Sequence, residues 1–142
     1  MKQLTLPVIV IGLSLCTGAL LYPWISASRE RRSLESEVFA PYFAAIGQGH
    51  WEDAWSMHTA AWRSRHSLTE FTSHLLRESL SSQGGVIIQH EVLKARMEGP
   101  GVRAECQVLH GSRSDRITFD LVPPPKAGGH PWEIESTDPP GW

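Results

Sequence analysis

The sequence predicts an α+β fold, with an N-terminal transmembrane helix or signal followed by three helices and then four antiparallel strands. Three observations carry this. Leu4 to Ile25 contains no charged residue, apolar residues from Leu34 to Leu76 recur at three- and four-residue spacing, and beyond Gly85 the hydrophobic period falls from 3.6 to 2.

The apolar segment comes first. Its 22 residues, built as a helix rising 1.5 Å per residue, reach about 33 Å, which matches a hydrocarbon core of roughly 30 Å. A cleaved signal normally carries a shorter apolar stretch of about 7–15 residues, so length favours a retained anchor over cleavage. Ser26-Ala27-Ser28 nevertheless supplies the small residues that a signal peptidase needs. Lipidation at Cys16 is disfavoured, because Leu15 stands where a small residue belongs. Orientation is contested. A Lys-bearing N-terminus directly before an apolar helix is the layout of an export signal, placing the domain in the periplasm or outside the cell. Arg29, Arg31 and Arg32, read by the positive-inside rule, would hold it in the cytoplasm. Residues 1–28 thus read as signal anchor or signal peptide, 29–33 as a basic juxtamembrane linker, 34–136 as the folded domain and 137–142 as an irregular tail.

Leu34, Val38, Tyr42 and Ile46, with Phe39 and Phe43, predict the first amphipathic helix. Pro41 should kink it or mark the start of its well-formed part, and Gly47 and Gly49 should end it. Trp51, Ala54, Trp55 and His58 predict a second helix from His50 to about Trp62. The third opens on a capping box, Ser67 with Glu70, and buries Leu68, Phe71, Leu75 and Leu76 before Gln83-Gly84-Gly85.

Val86 to Ala95 reads as a strand, and Glu98-Gly99-Pro100-Gly101 as a turn. Val102, Ala104, Cys106 and Val108 then alternate with Arg103, Glu105 and Gln107. Ile117, Phe119 and Leu121 continue the apolar face. A two-residue turn at Gly111-Ser112 sets Arg103 opposite Asp120 and Gln107 opposite Arg116, whereas a slip of two would face Glu105 with Asp120. After the Pro123-Pro124-Pro125 loop, Trp132, Ile134 and Ser136 alternate with Glu133 and Glu135 in a last strand.

Charge and cysteine content exclude little and suggest less. The net charge is −2, and without a basic cluster on the folded part there is no electrostatic case for nucleic acid. Cys16 and Cys106 lie in different parts of the pattern, so no intramolecular disulfide is expected.

The run Tyr42-Phe43-Ala44-Ala45-Ile46-Gly47-Gln48-Gly49-His50-Trp51-Glu52-Asp53-Ala54-Trp55 resembles the opening of the nuclear transport factor 2-like superfamily, a cystatin-like cone. In that family a hydrophobic helix, a glycine-bearing break and a short helix with alanine and an aromatic come in this order. The Ser67–Phe71 helix start and the Trp132-Glu133-Ile134 strand are similar to its later elements, so the resemblance spans about residues 34–136. It implies helices closing over a curved four-stranded sheet. His50 departs from the acidic or amide cap common there. Small exported or membrane-anchored members are often of unknown function, so the resemblance implies a fold more than an activity.

Candidate sites follow from that geometry. The helix-facing side of the sheet should carry His90, Cys106, His110 and Ser136, with His58 approaching from a helix and Trp55 at the margin. A pocket His–Cys or His–carboxylate pair there could perform acid–base chemistry. Family members that isomerise or cyclise small molecules use a pocket Asp with a Tyr or His partner. Here Asp53 and Asp120 face outward by periodicity and Tyr42 reads as core. His50, His58, His66 and His74 recur every eight residues, which is not a same-face ligand spacing, and no metal or cofactor is expected. Trp51, Trp55 and Trp62 could form an aromatic ligand platform, but at helical spacing Trp51 and Trp55 read as core. The outer sheet face (Arg103, Glu105, Gln107, Arg116, Thr118, Asp120) reads as solvated, or as the surface for a homodimer or protein partner. The leading expectation is a non-catalytic, membrane-tethered binding or accessory domain, held by residues 4–25 in the inner membrane, that serves a protein partner or small apolar ligand. The rival is an isomerase, cyclase or hydratase using the cone cavity. An open cavity with convergent titratable groups would favour the enzyme, and one filled with rings the accessory domain.

Overall fold

The computed structural model describes residues 29–81, 87–110, 113–125 and 131–140, with the side chains of 78–88 excepted. The expected membrane segment, residues 4–25, lies outside them. Among the described residues no helix is long and apolar enough to cross a membrane.

Residues 29–34 are helical. They run without a break into a π-helical turn, Glu35–Phe39, and then into helix α1, Ala40–Gln48. The expected basic linker is therefore the first turn of the domain. Pro41 falls in the opening turn of α1. Proline has no N–H to give and its ring strikes the carbonyl four residues back. The wider π turn, in which the Ala40 N–H bonds Glu35 O, changes that register just ahead of the ring and lets the helix pass. At the far end Gly49 takes φ +75°. The His50 N–H reaches Ala45 O at 2.8 Å and the Gly49 N–H reaches Ile46 O at 3.1 Å, the paired bonds of a Schellman motif.

The second predicted helix is two helices, α2 (Trp51–Ser56) and α3 (Ala60–Arg63). Between them the helix breaks at Met57–Thr59, where Ile134 N donates to Met57 O and Thr59 N to Ile134 O, both at 2.9 Å. Thr59 is the reason for the restart. Its backbone is extended, and its hydroxyl accepts from Trp62 N at 3.1 Å as an N-cap. Helix α4, Leu68–Ser81, opens on the expected capping box: Ser67 N donates to Glu70 Oε2 at 2.9 Å, and Glu70 N donates to Ser67 Oγ at 3.2 Å. Phe71 and Leu75 are buried, but Leu76 is 45% exposed. It lies about 100° round the helix from Leu75, off the line that meets α2.

The sheet is antiparallel in the order β1-β2-β3-β4, with β1 Ile87–Glu98, β2 Gly101–His110, β3 Arg113–Val122 and β4 Glu133–Asp138. Strand β1 runs three residues beyond the expected Ala95, because pairing with β2 through Glu98 opposite Gly101 outweighs the weak strand propensity of Arg96-Met97-Glu98. Gly99 at φ +61°, followed by Pro100, makes the tight connection. Arg103 pairs with Asp120 and Gln107 with Arg116, as the charge argument required. Strand β4 extends to Asp138, so the expected tail is shorter by two residues.

A bulge alters one face assignment. Asp120 pairs with Ser136 and Leu121 with Ile134, which leaves Glu135 as the extra residue. Ile134 points into the core while Ser136 turns outward and donates to Asp120 Oδ2 at 2.6 Å. Ser136 is thus not on the helix-facing side. A second bulge at Leu93 turns Lys94 and Arg96 outward and Ala95 inward.

The core lies between the first helix (Val38, Phe39, Tyr42, Phe43) and the inner sheet face (Ala104, Cys106, Val108, Ile117, Phe119, Leu121, Ile134). Two glycines give opposite expectations. A Cβ on Gly101 would stand 2.5 Å from Leu121 O, whereas one on Gly47 meets nothing within 4 Å. Gly101→Ala should therefore lower the unfolding free energy by about 1–3 kcal/mol through overpacking. Gly47→Ala should raise it by about 0.5–1 kcal/mol. Urea denaturation of the two variants in parallel checks both signs.

Candidate functional site

His58 sits in the break between α2 and α3, bridged to Ile134 and with no exposed surface. Its ring stacks on Trp62 at 3.8 Å between centroids and meets the edges of Tyr42 and Phe71 at 5.7 and 5.6 Å. Nε2 lies 3.3 Å from Tyr42 Oη, and Nδ1 has no hydrogen-bond partner among the described residues. Burial, helped by the nearby His66 and Arg63, lowers its pKa to about 3, and burial pushes the Tyr42 phenol up. Both groups are neutral throughout the physiological range.

His90 and Cys106 stand apart from His58. Cys106 faces the core from β2, and burial, then the carboxylates of Glu35 and Glu105, push its thiol up. It is inert as a nucleophile. His90, on neighbouring β1, stacks near Phe43 at 4.9 Å, and its Nε2 lies 2.6 Å from Glu35 Oε1, off the line needed for a hydrogen bond. Glu35 comes from the π-helical turn, and nothing in the sequence pattern marked it. With His90 it forms a half-buried acid–base pair on the helix-facing side.

The other named residues go elsewhere. His110 is buried at the end of β2, with Nε2 2.6 Å from Asp115 Oδ2, and Asp115 also accepts from Arg113 at 2.9 Å. Trp55 clamps the outside of the helices: its Nε1 donates to His66 O at 2.9 Å and the Arg63 guanidinium lies 5.4 Å over its ring. Sequence order placed His90, Cys106 and His110 on the correct face, but their contacts fall into separate groups and do not converge with those of His58.

The space between the first helix and the inner face of the sheet contains rings. Phe119 is within 5.0, 5.9 and 6.0 Å of Phe39, Tyr42 and Phe43. The described grooves lie outside this cluster. One of about 370 Å3 runs between residues 29–34 and the β1–β2 turn. Another of about 500 Å3 lies against Lys94, Arg96 and Arg103 on the outer face, and a third of about 420 Å3 against His50 and Trp51. Among the described residues no three His, Cys, Asp or Glu side chains gather as metal ligands.

The outer sheet face is a cross-linked polar layer. Arg103 donates to Asp120 at 2.7 Å, Arg116 lies 3.1 Å from Glu105, and Gln107 donates to Ser114 at 2.8 Å. The Arg103 hydrogen bond, reinforced by Ser136, holds the Asp120 carboxyl below its ordinary range against the opposing effect of partial burial. No protein-family model, curated protein or solved structure matches the chain.

The buried imidazole has a measurable consequence. Because His58 binds a proton in the unfolded chain near pH 6.5 but in the folded chain only near 3, its contribution is complete above 6.5 and is lost as pH falls toward 3. Going from about pH 7 to about pH 5 should lower stability by about 2 kcal/mol through this residue alone. Urea unfolding of the native chain and of His58→Gln at both pH values isolates the effect, since only the native chain should show that part of the loss.

Proposed function

We propose that the chain is a membrane-tethered, non-catalytic accessory domain of the nuclear transport factor 2-like kind, held by residues 4–25 and acting on a protein partner outside the inner membrane. The observation that carries this reading is the filled interior. Phe39, Tyr42, Phe43, His58 and Phe119 occupy the space in which such a cone would bind a small apolar molecule. The titratable groups bordering it are held neutral or drawn into separate contacts. A domain of this build works through its surface. Its outer sheet face supports that role, because ion pairs hold Arg103, Asp120, Glu105 and Arg116 at set positions, and charges fixed before encounter favour selective association.

The rival reading, an isomerase, cyclase or hydratase, draws its support from the Glu35–His90 pair beside Cys106. The two readings part under one experiment. A photoreactive residue in place of exposed Gln107, in the full chain in intact cells, should give a discrete protein adduct that Arg116→Glu abolishes. Absence of any adduct from the outer face would remove the accessory reading. A His90→Gln chain that keeps its adduct but fails to complement a deletion would move the assignment to the enzyme.

A further inference from the structure

We propose that the end of the domain formed by residues 29–34, the β1–β2 turn and Trp132 is a docking surface for an anionic lipid bilayer. The inference rests on the tether of the preceding reading and goes beyond it, since a tether alone needs no contact between the folded domain and lipid.

The groove at this end has a buried apolar floor, Leu34 and Val102, and an apolar rim, Met97 and Trp132. Met97 is 57% exposed, which is unusual for so large an apolar side chain. Trp132 is half-buried, with an amphipathic ring of the type concentrated at bilayer interfaces. Arg29 lines the same groove. Across the β1 edge the second groove, which shares Ala95, adds Arg31, Lys94, Arg96 and Arg103. Arg31 reaches across to Leu93 O, donating at 3.4 Å.

The charge at this end runs against that of the chain. Arg96 and Arg103 stand directly opposite each other on paired strands, a like-charge arrangement that is unfavourable by itself. Glu98 reaches both, at 2.8 and 3.5 Å. Five cations line the two grooves, Arg29, Arg31, Lys94, Arg96 and Arg103, against four carboxylates, Glu30, Glu98, Glu105 and the Asp120 that Arg103 bonds, in a protein whose net charge is −2. An apolar rim ringed by arginine and lysine is the composition of surfaces that sink into the headgroup layer of acidic membranes.

Chain length selects lipid over other acidic partners. Arg29 follows Ile25 by four residues, a span of at most about 14 Å. With residues 4–25 in a bilayer, the groove cannot leave the neighbourhood of the headgroups, and the effective concentration of lipid at it is correspondingly high.

The full chain reconstituted into vesicles tests this. Vesicles of phosphatidylcholine alone, or mixed with phosphatidylglycerol, carry lipids brominated near the top of the acyl chain, and tryptophan quenching is read for the native chain and for Trp132→Phe. A Trp132-dependent share of quenching should exist in the mixed vesicles. It should fall by at least half in high salt and in the double variant Lys94→Gln, Arg96→Gln, whose exposed side chains leave the core untouched. No difference between native and Trp132→Phe, or equal quenching with and without phosphatidylglycerol, would overturn the proposal. Benzoylphenylalanine in place of exposed Met97 gives a second readout: a lipid adduct supports docking, and an adduct to a second copy or to another protein overturns it. Alkaline carbonate extraction separates the two readings. A chain that resists extraction but lacks the Trp132 signal keeps the tether and loses the docking. One that is extracted yet shows the signal on anionic vesicles does the reverse.

Discussion

Two backbone hydrogen bonds hold the helical layer to the last strand, Ile134 N to Met57 O and Thr59 N to Ile134 O. Each is worth only about 0.5–1.5 kcal/mol net, but their consequence is geometric. They require a break in what would otherwise be one amphipathic helix, and that break aims His58 at the centre of the molecule. The imidazole then completes the ring cluster that Phe39, Tyr42 and Phe43 begin on the first helix and Phe119 continues on the sheet. They also occupy part of the β4 edge, which would otherwise present unpaired backbone groups to other chains.

With the interior committed to packing, polar chemistry is displaced outward. A buried histidine stacked on Trp62 and touching only a phenol gives up its titration near neutrality, so His58 serves as a flat, polar-tipped ring. Cys106 gives up its thiolate for the same reason. The charges that remain organised lie on the outer face, where Asp120 accepts from both Arg103 and Ser136. Surface pairs of this sort add little stability. They fix the positions of charges, which matters more to recognition than to folding.

Much of this was legible in residue order and some was not, for physical reasons. The capping box at Ser67 and Glu70 and the Arg103–Asp120 register were readable because local hydrogen bonding and cross-strand charge leave direct marks on sequence. The break at Met57–Thr59 was masked, because Trp51, Ala54, Trp55 and His58 fit a helical stripe whether or not the helix continues. The single local sign was a threonine three residues before Trp62. The bulges at Leu93 and Glu135 left no such sign, since a bulge is set by which partner carbonyls are available, and each one reverses every later side chain. Hence strict alternation puts Ser136 on the wrong face. Glu35 was invisible for a similar reason, its approach to His90 being set by the π turn ahead of Pro41.

That turn also sets where residues 29–34 lie on the domain. Here residues 29–34 are helical and continue through the π turn into α1, while Arg31 bonds the β1 backbone at Leu93. The basic cluster is therefore part of the domain's own surface, held beside Lys94 and Arg96. The bulge at Leu93 turned those two residues outward and also shaped the strand that Arg31 contacts. One local irregularity in β1 thus gathers positive charge from two separate stretches of sequence beside residues 29–34.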